Sequence, residues 1–340
     1  MPRSSPAISR RSTRPSEREN MADQTALLAK WQTILGRLGE VIEGQERVKE
    51  QILIAMLASG HALLEGIPGT GKTLLALALA RLVGIRFGRV QFTPDLMPAD
   101  LLGTNVYDEK SREFQFHPGP IFSDLLLADE VNRTPPRTQA ALLEAMQESG
   151  VTVDGVRRIV SPFFLVLATQ NPVEFEGTYP LPEAQRDRFL LKIVIDYPAA
   201  EAEARMLAAY ASGRRLHDEA VESLAPVLSP EELVASRDFV SRGVRVEPGL
   251  QAYVLAIVTA TRRDESIQIG GGPRASLALL QTSRALAALR GRDFVTPDDV
   301  KEMAGPVLAH RVTLTPEAEM EGRTLDDVLR RIFEKVEVPR

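Results

Sequence analysis

His61-Ala62-Leu63-Leu64-Glu65-Gly66-Ile67-Pro68-Gly69-Thr70-Gly71-Lys72-Thr73-Leu74, continuing through an apolar run to Leu82, decides the fold of this 340-residue chain. A short apolar strand signal runs into a glycine-rich turn and then into an apolar helix, and the turn fits the phosphate-binding loop pattern at every required position. Glycines at 66, 69 and 71 let the backbone bend tightly, so that successive N–H groups can converge on phosphate oxygens. Lys72 follows where its ammonium reaches the terminal phosphates, Thr73 offers a hydroxyl to magnesium, and the helix starting here turns its positive end toward the same anion. Gly66, Ile67, Pro68, Gly69, Thr70, Gly71, Lys72, Thr73 and Leu74 are therefore assigned to the nucleotide. An ordinary glycine-rich turn is the bland alternative, and the flanking strand and helix argue against it.

A second signal lies downstream. Leu125-Leu126-Leu127-Ala128-Asp129-Glu130 has the form of a buried parallel strand whose carboxyl end meets a ligand. Asp129 can hold magnesium, directly or through water, opposite Thr73, and Glu130 is placed to orient or deprotonate an attacking water. A further buried strand, Phe163 to Ala168, ends in Thr169-Gln170-Asn171, where a polar amide can bind that water or the terminal phosphate.

The rest of the chain bounds the reading. There is no cysteine, which rules out disulfides and thiolate metal sites and fits a reducing cytoplasm. His61, His117, His217 and His310 lie far apart without metal-ligand spacing. Residues 1 to 20 carry five arginines against two glutamates among serines and prolines, and read as a disordered basic tail. Arg10-Arg11 is followed by no apolar run, so an export signal is not expected, and Met21 is a candidate alternative start. Net charge is −5, and the remainder is more acidic still once the basic tail is set aside. That balance disfavours nucleic acid as the main partner. No run is long enough for a membrane span.

Apolar residues at helical spacing predict a helix through Leu27, Leu28, Trp31, Ile34, Leu35 and Leu38, and a second through Val48 to Leu57. Arg89 to Phe92 reads as a strand, Thr93 to Leu102 as a turn and short helix, Pro136 to Glu148 as a helix, and Leu190 to Ile195 as the last strand. Two hairpins are expected, one around the polar tip Asp108 to Ser111 and one around Asp154-Gly155, the strongest short turn signal. After Pro198 the periodicity is helical throughout. The expected organisation is a tail at 1–22, an α/β nucleotide-binding domain with a parallel sheet at 23–197, and an α-helical domain at 198–340.

Asp129 to Arg133, Ala168 to Pro172, Asp187-Arg188-Phe189 and above all Glu176-Gly177-Thr178-Tyr179-Pro180-Leu181-Pro182-Glu183-Ala184-Gln185 carry a resemblance. They match, nearly letter for letter, the AAA+ ATPases of the MoxR family, over roughly residues 30 to 335. The resemblance implies a three-layer αβα domain followed by an all-α lid, with ATP and Mg2+ at their junction and catalysis completed between subunits of a hexameric ring. By position, Asn171 looks like sensor 1, Arg274 like sensor 2, and Arg188 like the arginine finger. Val41, Ile42 and Gly44 would help form the adenine pocket. The hairpin at 105–119 is similar to the family's helix-2 insert, and that at 148–160 to its pre-sensor hairpin. Position 186 is Arg where the family usually has an apolar residue, which makes Arg186 a second candidate finger. The implied function is chaperone-like remodelling or maturation of client proteins, with a von Willebrand factor A domain partner. A DNA-directed motor and a metal-chelatase motor subunit are the alternatives.

Overall fold

The computed structural model describes residues 17–171, 177–212 and 221–339. The predicted tail at 1–16, and Pro172, Glu176 and His217, lie outside them. Helix α1 (Glu17–Val41) begins within the stretch expected to be tail. Its packed face, with Trp31, Ile34 and Leu38 fully buried, nucleates a helix that then propagates outward through the preceding residues. A left-handed turn at Gly44 and Gln45 leads to α2 (Glu46–Leu57), which is buried on almost every side.

Strands β1 (Ala62–Gly66), β2 (Phe87–Gln91), β5 (Leu125–Asp129), β8 (Leu165–Gln170) and β9 (Leu191–Ile195) form one sheet in the order β2-β5-β8-β1-β9. All four neighbouring pairs are parallel. Their apolar runs suit a sheet covered on both faces. One face packs on α1, α2 and α3 (Lys72–Val83), the other on α4 (Pro98–Leu102) and α5 (Pro136–Glu148). This strand order brings the carboxyl ends of β1, β8, β5 and β2 side by side, and so gathers the phosphate loop and both acids along one edge.

The two expected hairpins are present, β3 (Gly103–Asp108) with β4 (Glu113–Pro118) and β6 (Gly150–Val153) with β7 (Val156–Ile159). Asp154 and Gly155 both have positive φ, as a tight two-residue hairpin turn requires. Asn105 donates to Asp154 at 2.5 Å, and the Arg158 guanidinium lies 3.7 Å from the centre of the Phe116 ring, so the hairpins are bonded to one another.

Beyond α6 (Glu183–Arg186) and β9, the chain continues through α7 (Ala200–Ala211), α8 (Pro230–Asp238), α9 (Pro248–Thr261), α10 (Pro273–Leu289), α11 (Pro297–Leu308), α12 (Pro316–Met320) and α13 (Leu325–Lys335). Two features depart from uniform helix. Phe239–Gly243 forms a wider π turn, with the Phe239 ring packed where a Cβ on Gly243 would sit, and Ile267–Ile269 pairs antiparallel with Thr313–Leu314. These helices are not set apart from the sheet. One hydrophobic cluster runs from α1, α2 and α3 into α8, α9, α10, α11 and α13, and the buried Trp31 indole donates to Ser236 at 2.9 Å across that junction.

Two imidazoles are buried in this framework. His61 stands just before β1, its Nδ1 accepting from the Val166 N–H and its Nε2 donating to the Met146 carbonyl, each at 3.0 Å, a network that fixes the neutral tautomer. Burial pushes His61 down to about 4, and His310 to about 3. Above the ordinary value of 6.5 both folded and unfolded chains hold neutral rings and stability is full. As pH falls below 6.5 the unfolded chain takes up protons that the folded one refuses, so stability declines. For His61 the loss by pH 4 is about 3 kcal/mol. Urea midpoints measured from pH 7 to 4 should fall steadily, and His61→Gln should flatten that slope whatever its effect at pH 7.

Candidate active site

Gly66 ends β1 so close to β9 that a Cβ would lie 2.4 Å from the Ile195 carbonyl oxygen, and Gly69 and Gly71 hold φ of +83° and +80°. These are conformations glycine adopts at little cost, and they curl the loop around the start of α3. Lys72 folds into the loop, its ammonium donating to the Gly66 carbonyl at 3.0 Å and the Ile67 carbonyl at 2.6 Å. Its pKa is lowered by burial, while the carboxylates of Asp129 and Glu130 pull the other way. A charge already partly stripped of water, facing a rim of backbone N–H groups, suits a phosphate.

The loop borders a cavity of about 410 Å³ lined by Gly66, Pro68 to Leu74, Arg89, Gln91, Asp129, Glu130 and Thr169 to Asn171. Thus most of the loop residues assigned from the sequence, both acids and Asn171 come to one cavity. Ile67 contributes its carbonyl to Lys72 rather than lining it. A second cavity of about 290 Å³ adjoins, sharing Pro68 to Gly71 and Leu74. It adds Val41, Ile42, Glu43 and Gln45 from the α1–α2 turn, and Tyr197, Pro198, Glu203 and Met206 from the chain entering α7. Its apolar walls next to a phosphate loop suit a purine base. Gly44 does not line it but shapes the turn at φ +69°, and a Cβ there would touch Ala202.

The two acids are held by bonds that the motif itself does not disclose. Glu130 has left-handed backbone, φ 58° and ψ 50°, which turns its N–H onto the Thr169 hydroxyl at 2.8 Å. That hydroxyl in turn donates to Asp129 Oδ1 at 2.7 Å. Arg89 donates to Asp129 Oδ2 at 3.0 Å, Gln91 to Glu130 Oε2 at 2.6 Å, and Arg133 to the same Oε2 at 3.1 Å. Arg89, Gln91, Thr169 and Arg133 are therefore site residues beyond those picked out in the sequence. For Arg89 and Gln91 the available signal was their spacing of two on a strand, which puts both side chains on one face.

The hydroxyl of Thr73 and the carboxylate of Asp129 border the same cavity, and hard oxygen donors of this kind suit magnesium. Among the described residues no group of three or more His, Cys, Asp or Glu gathers as a cation cage. This fits an ion that takes its remaining ligands from phosphates and water. When bound, such an ion neutralises charge building on the phosphates.

Arg188 and Arg274 are not brought to these cavities. They line a third, with Ser59, Gly60, His61 and Gln281, at the amino end of β1, the far end of that strand from the phosphate loop. Arg274 approaches Asp187 at 3.5 Å. The neighbouring backbone is clamped from the chain after α11, where Arg311 donates to Asp187 Oδ1 at 2.9 Å and to the Leu190 carbonyl at 3.0 Å, and His310 to the Phe189 carbonyl at 2.9 Å. Arg186, the alternative finger, does not line this cavity.

A parallel sheet with its phosphate loop, acid pair and polar strand end along one edge, followed by a helical region, defines an AAA-type P-loop ATPase. The family described as "ATPase family associated with various cellular activities (AAA)" matches residues 61–191, and "AAA lid domain" matches 259–332. The uncharacterized protein YeaC of Bacillus subtilis is 45% identical over 89% of this chain and 92% of its own length. Chaperone MoxR1 of Mycobacterium tuberculosis is 41% identical over 88% of this chain and 80% of its own. The crystal structure of a candidate ATPase from Cytophaga hutchinsonii superposes with a TM-score of 0.87 at 37% identity, covering 95% of this chain and 99% of that one. The chain belongs to the MoxR family of AAA ATPases, and it is an ATP-hydrolysing enzyme. No helix among the described residues is long and apolar enough to cross a membrane.

Thr169→Val preserves side-chain shape while removing both bonds to the acid pair. ATP binding should persist, with turnover lower by about five- to 150-fold, the rate equivalent of the ~1–3 kcal/mol that an unsatisfied buried group costs. Single-turnover hydrolysis beside nucleotide titration separates the two effects; an unchanged rate would show that Asp129 and Glu130 keep their geometry without the hydroxyl.

Proposed function

We propose that this ATPase is magnesium-dependent and works as a closed ring, sixfold by its resemblance, that remodels or matures partner proteins. Each subunit holds ATP with its own phosphate loop, Asp129 and Glu130, and offers Arg188 and Arg274 to the ATP of its neighbour. The observation that carries this reading is the position of those two arginines at the end of β1 remote from Lys72. An arginine there meets a terminal phosphate only when a second copy supplies it. A contact that joins one end of a subunit to the opposite end of the next is heterologous, and such contacts generate rings when the rotation closes.

Within each site Glu130 acts as the base toward water, Asn171 binds that water or the terminal phosphate, and Thr73 with Asp129 holds the metal. The remodelling role draws on the name of the mycobacterial relative, a chaperone, and the partner expected from the resemblance is a von Willebrand factor A domain protein. A DNA-directed role is disfavoured by the acidic balance outside the tail.

Mixing two inactive variants tests the shared site. Glu130→Gln should bind ATP and assemble yet hydrolyse very slowly, and Arg188→Ala should lose about a thousandfold in turnover, the scale of an arginine supplied in trans. Mixed rings should regain activity at interfaces that pair an intact Glu130 with an intact Arg188. Full activity in Arg188→Ala alone would overturn the assignment, and Arg186→Ala in parallel shows whether the finger lies two residues earlier.

The hairpin formed by β3 and β4 is the proposed client contact. Phe114 is 72% exposed, edge-on to an exposed Tyr107, whereas Phe116 packs against Phe122 and under Arg158. Replacing Tyr107 and Phe114 together by Ser should leave basal hydrolysis intact and abolish its stimulation by a client protein. Equal loss of both would assign the pair to packing.

A further inference from the structure

Strand β2 is an edge strand of the sheet, paired only with β5 in a register that sets Gln91 opposite Asp129 and Arg89 opposite Leu127. Arg89 and Gln91, two residues apart, project from one face into the phosphate cavity. The Arg89 guanidinium donates to Asp129 Oδ2 at 3.0 Å, while Oδ1 accepts from Thr169 at 2.7 Å. Both oxygens of the expected metal-holding carboxylate are thus engaged, one of them by a full positive charge. The two partners differ in kind. Thr169 is buried, fixed by the sheet, and bonded on its other side to Glu130. Arg89 is 48% exposed, carries a long flexible side chain and stands beside open solvent at the sheet edge.

We propose that Arg89 is a positioning residue that competes with magnesium for Asp129 and exchanges that carboxylate for phosphate when a metal–nucleotide complex enters. A guanidinium and a divalent cation brought to one carboxylate repel each other, so an ion held there, directly or through water, loosens Arg89 from Oδ2. The released side chain remains in a cavity bordered by the phosphate loop, where its planar set of donors matches phosphate oxygens as well as it matched the carboxylate. Phosphate offsets part of that release, so the ion enters more easily with nucleotide than alone, and the part not offset is a magnesium requirement that Arg89 sets. Arg89 makes the site select a magnesium–nucleotide complex over free magnesium. Thr169 stays in place through the exchange, so Asp129 changes its cationic partner without losing its orientation.

This inference rests on the magnesium dependence proposed above, and the test separates the two. Binding of a fluorescent N-methylanthraniloyl ADP is followed on the full chain while magnesium is titrated, in wild type, Arg89→Met and Arg89→Lys. Binding retained in EDTA reports a folded site, and the readout is affinity, without turnover. In Arg89→Met the half-saturating magnesium concentration should fall by about two- to fivefold, the range that removing a half-exposed ion-pair competitor gives. Arg89→Lys, which keeps the charge, should return most of the way to wild type. In an Asp129→Asn background Arg89→Met should have no such effect. An unchanged or raised magnesium requirement in Arg89→Met, or a drop that persists without the Asp129 carboxylate, overturns the proposal. A wild-type affinity indifferent to magnesium also overturns this inference, whereas turnover that persists in EDTA overturns the magnesium reading itself.

Discussion

One hydroxyl, that of Thr169, sits between the two acids of the site, accepting from the Glu130 backbone and donating to the Asp129 side chain. Both bonds cross from β8 to β5, so they exist only in the observed register, with Leu127 beside Leu167 and Ala128 beside Ala168. A slip of one residue would turn the hydroxyl to the other face and leave a buried N–H unsatisfied. The same strand pairs with β1 on its other side, setting Thr169 opposite Leu64 just before the phosphate loop. The central strand therefore fixes the spacing between the phosphate loop and the Asp129-Glu130 pair. The strained left-handed backbone at Glu130 is tolerated because its N–H has that partner.

What a sequence discloses of such a site depends on whether its parts are contiguous. The phosphate loop and the Asp129-Glu130 pair are local patterns, each carrying its own chemistry, and they were readable from residue order. Arg89 and Gln91 were not, since their partners lie 40 and 39 residues away and the contact depends on strand register. The same holds for Tyr197 and Met206, which reach the base-side cavity only because α7 folds back over the α1–α2 turn. Arg188 and Arg274 were legible by resemblance alone, and nothing in their spacing places both in one cavity.

The folds of the two hairpins were legible for a different reason, because Asp154-Gly155 dictates its own turn, whereas the environment of each strand residue was not. Phe114 and Phe116 alternate identically in sequence, yet Phe122 and Arg158 cover only the second. The short pairing of Ile267–Ile269 with Thr313–Leu314 joins segments too brief for a period-two signal to stand out from the helices around them.

The unbroken hydrophobic cluster joining the sheet-side helices to the later ones has a mechanical consequence. A domain hung on a linker can swing, but α8 and α10 are seated directly on α1 and α2 across a packed interior that resists compression. Helices packed in this way rearrange by small sliding of one against another, the shear class, rather than by free swinging. The later helices also reach the sheet side directly, since Arg311 and His310, just after α11, clamp the Arg188 segment. The two hairpins lie outside that cluster and are tied instead to one another, through Asn105 with Asp154 and Arg158 with Phe116, so their positions are set by a separate pair of contacts.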